Sequence, residues 1–188
     1  TVGGLVGTNG GTISGAEVSA TINHTGNGGV TIGGIVGEMT GGSLTNSKAS
    51  GNINAPENLT NKANAIGGAI GKISAGAVGE DNETAPTVVT TSVTVDAKWA
   101  GSAVTVEGVQ FQNTGNGSVG TFVGSIVNGA FTNCSSTAKS SYQFMGQIAV
   151  KSSTLDSNKS IWFSNTTDEA ETSAEADYVE GQVADYSG

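Results

Sequence analysis

Arginine is absent from this chain, cysteine and histidine occur once each, proline twice, and aromatic residues supply only 5% of its 188 positions. Each scarcity excludes something. The seven basic residues are all lysines (Lys48, Lys62, Lys72, Lys98, Lys139, Lys151, Lys159), spread along a chain of net charge −9. Phosphate recognition needs clustered cations, usually with arginine forks, so nucleic acid is excluded as a partner, as is a polybasic membrane-surface site. A single cysteine, Cys134, allows no intrachain disulfide and no multi-cysteine metal site, which leaves packing and main-chain hydrogen bonds to hold the fold. No apolar run approaches the roughly 18 residues that span a bilayer, so no membrane insertion is expected within this segment. Charged residues make up 12% of the chain, about half of what an average soluble domain carries. Seven of the sixteen acidic residues (Asp168, Glu169, Glu171, Glu175, Asp177, Glu180, Asp185) stand at the end, so the negative charge is mostly a property of the tail.

What the chain does have is glycine, 30 of them, placed in a pattern. One block occurs four times: TVGGLVG (Thr1 to Gly7), TIGGIVG (Thr31 to Gly37), AIGGAIG (Ala65 to Gly71) and SVGTFVG (Ser118 to Gly124). Position by position it is a small residue, a β-branched apolar residue, Gly, Gly or Thr, an apolar residue, Val or Ile, and Gly. A degenerate fifth copy is YQFMG, Tyr142 to Gly146. A second apolar position follows each block at nearly constant distance, at Ile13, Leu44, Val78 and Phe131. Three of these precede a Ser or Thr and then Gly15, Asn46 or Asn133, residue types that tolerate positive φ and let a chain turn a corner. Alternation then resumes, with Val18, Ala20 and Ile22 on one side in the first copy and Ala49, Gly51 and Ile53 in the second. Internal self-similarity at such periods marks coils that bury their faces on one another.

The expected architecture is therefore all-β: a β-solenoid, like a right-handed parallel β-helix, over residues 1–165, followed by an acidic cap or linker over 166–188. The third interval is longer than the others, which predicts an insertion at about 80–118. Within it Val93, Val95, Ala97 and Trp99 alternate with polar residues, and a second strand changes phase at a bulge near Gly108. The tail after Thr166 lacks such alternation and suits a short helix, a terminal cap or a linker. Because the chain opens inside a block, further sequence is expected ahead of it.

The blocks GGIVGEMTGGSLTNSKASGNI and GTFVGSIVNGAFTNCSSTAK resemble the GLUG repeat of bacterial surface proteins, over roughly Thr1 to Ala138. The resemblance implies a secreted or cell-surface location, in adhesins and Bacteroidetes-type surface proteins, and a β-solenoid stalk or binding surface. It implies no catalytic residue and no cofactor, and a host or microbial glycan or surface protein as partner.

Other candidates come from the residues themselves. Glu80, Asp81 and Glu83 share an acidic loop that is a weak candidate for Ca²⁺ through oxygen ligands, or else a solvated corner. A carbohydrate-active β-helix enzyme would need a carboxylate pair held at a set separation, and adjacent carboxylates in a loop do not supply one. Trp99, Tyr142 and Trp162 are weak candidates for an aromatic sugar platform, with core packing as the competing role. His24 lies at a glycine-rich turn without evident metal partners. Cys134 takes a place held by Ser47 and Ala16 in other copies, which suits a small packed side chain better than a nucleophile. Seven Asn-x-Ser/Thr sequons (Asn23, Asn58, Asn82, Asn116, Asn133, Asn158, Asn165) are what a chain rich in these residues produces by chance. The leading expectation is a non-enzymatic adhesin-like rod; a β-helix enzyme and a pure spacer for a domain outside the chain are the alternatives.

Overall fold

The computed structural model describes residues 1–26, 28–59, 64–80, 88–99, 103–106, 109–112, 117–137, 145–148, 161–164 and 167–168. Among them there is no helix, and twenty strands account for most of the described residues. The first segment holds β1 (Val2–Gly3), β2 (Val6–Asn9), β3 (Thr12–Ser14) and β4 (Glu17–Asn23). The second holds β5 (Thr31–Gly33), β6 (Val36–Thr45) and β7 (Ser47–Leu59). The third holds β8 (Ala65–Gly67), β9 (Ile70–Val78), β10 (Val89–Thr91), β11 (Thr94–Trp99), β12 (Ala103–Val106) and β13 (Val109–Gln112). The fourth holds β14 (Ser118–Gly120), β15 (Val123–Ile126), β16 (Gly129–Thr132) and β17 (Cys134–Ser136), and the last β18 (Met145–Ile148), β19 (Ile161–Ser164) and β20 (Thr167–Asp168).

Three parallel ladders run through these segments: each of the first four segments adds a strand to all three, and the last adds strands to the second and third. The first ladder, β1-β5-β8-β14, is made by the glycine blocks, and its partners are equivalent block positions: Gly3 with Gly33, Gly33 with Gly67, Gly67 with Gly120. In the second ladder Val6, Val36, Ile70, Val123 and Met145 form one column. Ile13, Leu44, Val78, Phe131 and Phe163 form another. The third ladder aligns Val18 with Ala49 and Ile22 with Ile53, and then Ile53 with Val95.

The glycines of the block are a steric requirement of this stacking. A Cβ on Gly33 would collide with the Val36 carbonyl oxygen, one on Gly34 with that of Gly68 in the next rung, and one on Gly37 would lie 2.6 Å from that of Gly7. Corners use a different property. Gly15, Asn46 and Asn133 have φ of 71°, 46° and 52°, left-handed values that cost most residues roughly 1–2 kcal/mol and that Gly and Asn adopt readily.

Columns of apolar residues make the core. Ile32, Ile35, Val36, Met39, Leu44, Ile66, Ile70, Ile73, Val78, Val119, Val123 and Ile126 are buried between the ladders, each contributing about 1.5–3 kcal/mol before ordering entropy is subtracted. Phe122 and Phe131 close the fourth rung edge to face, with ring centroids 6.2 Å apart and planes at 82°. Asn9 takes the column of Met39 and Ile73, and it is satisfied locally: its Nδ2 donates to the Gly11 carbonyl at 2.9 Å and its Oδ1 accepts from the Gly11 N–H at 3.2 Å.

Within the interval 80–118, Val89–Thr91 and Thr94–Trp99 join the third ladder as parallel partners of β7, with a register shift between Ala97 and Lys98. The strand with a bulge at Gly108 is instead two antiparallel strands, β12 and β13, with Val106 opposite Val109 and Val104 opposite Phe111. Residues 107 and 108, between these two strands, lie outside the described residues. At the other end Thr167–Asp168 pair with Ser135 and Ser136, so of the three readings open for the tail, a short helix is not what these two residues form. Residues 169–188, with the rest of the acidic tail, lie outside the described residues.

Candidate functional site

Among the described residues, the outward side of the third ladder carries polar side chains in columns. Because side chains alternate across a strand, the burial of Val18, Ile53, Val93, Val95 and Ala97 turns the intervening residues outward. Register then sorts them into columns. Ser19 stands beside Ser50, Thr21 beside Asn52 and then Thr94, and Asn23 beside Asn54 and then Asp96. Ser92 falls opposite Ser50 by the same register, and its hydroxyl donates to the Ala49 carbonyl at 3.5 Å. A flanking column is Glu17, Lys48, Thr90, Ser135 and Thr167.

Neighbours within a column are about 4.8 Å apart and columns about 6.6 Å apart, which follows from strand spacing and rise. The groups are short, so the surface is flat. Several are already tied between rungs: Asn54 Nδ2 donates to Asn23 Oδ1 at 2.7 Å, Ser50 Oγ to the Val18 carbonyl at 3.4 Å, and Lys48 pairs with Glu17 at 3.0 Å. Such cross-rung bonds fix side chains in place and leave their remaining lone pairs and protons facing outward. The arrangement can offer hydroxyl and amide groups at a constant repeat.

A second polar cluster lies on the next ladder. Lys72 Nζ is 2.9 Å from Glu38 Oε1, and the Ser74 hydroxyl donates to the same oxygen at 3.1 Å. The Lys72 ammonium holds the Glu38 carboxyl below its usual range, against the opposite pull of its partial burial, with Ser74 adding to the lowering. This is a cross-rung tie, since Glu38 and Lys72 are ladder partners.

Glu80 is exposed, and its carbonyl oxygen accepts from Asn133 Nδ2 at 2.9 Å; Asp81 and Glu83 lie outside the described residues. No group of three or more His, Cys, Asp or Glu able to hold a metal occurs among the described residues. Trp99 belongs to the third ladder, with Leu59 as its partner, while Trp162 belongs to the second, with Ala130. The backbone therefore puts the two tryptophans on different ladders. Tyr142 lies outside the described residues. His24 ends the first rung, its N–H bonded to the Asn54 carbonyl at 2.9 Å and its Nε2 enclosed without a hydrogen-bond partner among the described residues.

Cys134 is buried, and burial pushes its thiol far above the ordinary range, away from thiolate chemistry. Its Sγ contacts the carbonyls of Val78 and Thr132, each at 3.4 Å. Ser47 makes the corresponding contact two residues back, donating to the Thr45 carbonyl at 2.7 Å while accepting the Ala16 N–H at 3.1 Å. The two side chains serve the same corner.

The polar columns escaped the sequence reading, although a signal exists: Ser-x-Thr-x-Asn at Ser19, Ser-x-Asn-x-Asn at Ser50 and Ser-x-Thr-x-Asp at Ser92. A comparison with known protein families, curated proteins and solved structures finds no match. The likeness to the GLUG repeat therefore rests on the block residues alone. No helix among the described residues is long and apolar enough to cross a membrane.

Proposed function

We propose that this chain is a non-enzymatic rod of β-solenoid form, part of a secreted or cell-surface protein, that recognises glycans through the outward side of its third ladder. The observation that carries the proposal is the set of polar columns Ser19–Ser50–Ser92, Thr21–Asn52–Thr94 and Asn23–Asn54–Asp96. Hydroxyls and amides both donate and accept, as sugar hydroxyls do, and this surface carries few charges that a neutral glycan would have to strip of water. Repetition supplies what each weak contact lacks, because a second and third contact along one ligand become intramolecular. Stacked rungs supply the stiffness. The block resemblance adds the surface location and a bacterial setting.

The test is a glycan and extracellular-matrix array on the purified protein, with and without Ca²⁺, comparing wild type with Ser50→Arg and Thr94→Lys. Both substitutions add bulk and charge to the flat surface and leave the core untouched. Loss of binding by folded variants supports recognition at this surface. A blank array, or binding indifferent to both substitutions, points to a spacer or to a site elsewhere on the chain.

A further inference from the structure

The rung that begins the stack is built like an interior one yet has a neighbour on one side only. Its strands pair forward, β1 with β5, β2 and β3 with β6, and β4 with β7; their other edges have no partner among the described residues. Val2 and Leu5 are 41% and 54% exposed, while their counterparts one rung on, Ile32 and Ile35, are 1% and 0% exposed. The same two positions are closed in the later rungs too, by Ile66 and Ala69 and then by Val119 and Phe122.

Gly7 supplies an independent sign. In the later rungs this glycine is demanded by close approach: a Cβ on Gly37 would lie 2.6 Å from the Gly7 carbonyl oxygen, one on Gly71 2.6 Å from that of Gly37, and one on Gly124 2.6 Å from that of Gly71. At Gly7 the nearest atom to such a Cβ is the Thr1 carbonyl oxygen at 3.4 Å, an ordinary contact. Its φ is not in the left-handed region either. Nothing in the described residues requires glycine here, whereas a main-chain oxygen arriving from the open side would.

We propose that this open edge is a docking surface for one further parallel β-rung with the same block pattern, seated so that its last glycine carbonyl lies against Gly7 and its apolar residues cover Val2 and Leu5. The occupant is defined by continuity with the rung-to-rung contact already repeated along the molecule. A lipid or a flat protein surface would cover Leu5 but would give Gly7 no role. The inference extends the rod reading to its end and does not depend on glycan recognition, so a blank array leaves it standing.

The test uses two proteins, the chain itself and the whole chain with a copy of residues 31–64 joined ahead of Thr1. In the chain itself Gly7→Ala leaves Tm unchanged or raises it, whereas Gly37→Ala lowers it. In the extended protein Gly7→Ala lowers Tm as Gly37→Ala does, by about 5 °C or more, and Leu5→Ala becomes as costly as Ile35→Ala. Two results overturn the proposal. One is a Tm loss from Gly7→Ala in the unextended chain, which needs no extension to be read. The other is Gly7→Ala and Leu5→Ala costing no more in the extended protein than in the original. Sedimentation adds a third: self-association abolished by Leu5→Lys yet indifferent to Gly7→Ala would assign the edge to a second copy packed in some other way.

Discussion

Leu5 and Ile35 occupy the same block position one rung apart, joined by the bond from the Leu5 N–H to the Ile35 carbonyl at 3.0 Å, so truncating each to alanine compares an end rung with an interior one. Both substitutions remove three carbons, worth about 0.8 kcal/mol each when fully buried. Ile35 is fully buried; its loss of about 2.4 kcal/mol in transfer is joined by the cost of a cavity that rigid neighbouring rungs cannot close, for a total of about 3–4 kcal/mol. Leu5 is 54% exposed, so less than half of that transfer energy is present, about 1 kcal/mol, and water fills the space left. Urea unfolding followed by circular dichroism measures both. Because repeat stacks can lose cooperativity, the slope of each transition must match wild type before the midpoints are compared. Equal costs, or a larger cost at Leu5, would refute the assignment of these residues to interior and end rungs.

Other outcomes follow from single contacts. At Asn133, with φ of 52°, Asn133→Ala should cost about 1–2 kcal/mol in the same unfolding assay, whereas Asn133→Gly should cost less, because glycine accepts that φ and alanine does not. Cys134 should resist alkylation in the native protein at neutral pH and react only as the chain unfolds, so labelling at the unfolding rate is expected and fast labelling would contradict its burial. Glu38 has a lowered folded-state pKa, so its stabilising effect is present above the unfolded carboxylate range and fades as pH falls through the folded value. Glu38→Gln should therefore cost about 0.5–1 kcal/mol at pH 7 and almost nothing near pH 3, which unfolding curves at the two pH values would check.

The strand content, the parallel pairing and the corner residues were legible because each leaves a local mark. Gly15, Asn46 and Asn133 announce positive φ by residue type, and the block aligns its own glycines. The one-residue difference between the first and second segments was also visible, and the structure places it at Thr40–Gly42, where Gly42 has φ of 71° and Ser43 N–H reaches the Gly11 carbonyl at 3.0 Å. What was not legible concerns partner choice. Val93, Val95 and Ala97 alternate with period two whether they extend a ladder or leave it, and only the pairing with β7 decides. A deletion of residues 80–118, which the sequence would suggest as a test of an insertion, would remove β10 and β11 from the third ladder; a deletion confined to the β12–β13 hairpin is the cleaner experiment. The polar columns were hidden for a related reason, since a Ser, Thr or Asn becomes part of a surface only when register sets it beside its counterparts.

Inter-strand nuclear Overhauser contacts in solution test the stacked parallel ladders most directly. Contacts joining Gly33 to Gly67, Val36 to Ile70, and Ile53 to both Ile22 and Val95 are predicted together. Antiparallel hairpin contacts within a segment in place of these, such as β6 folded back on β7, would contradict the account.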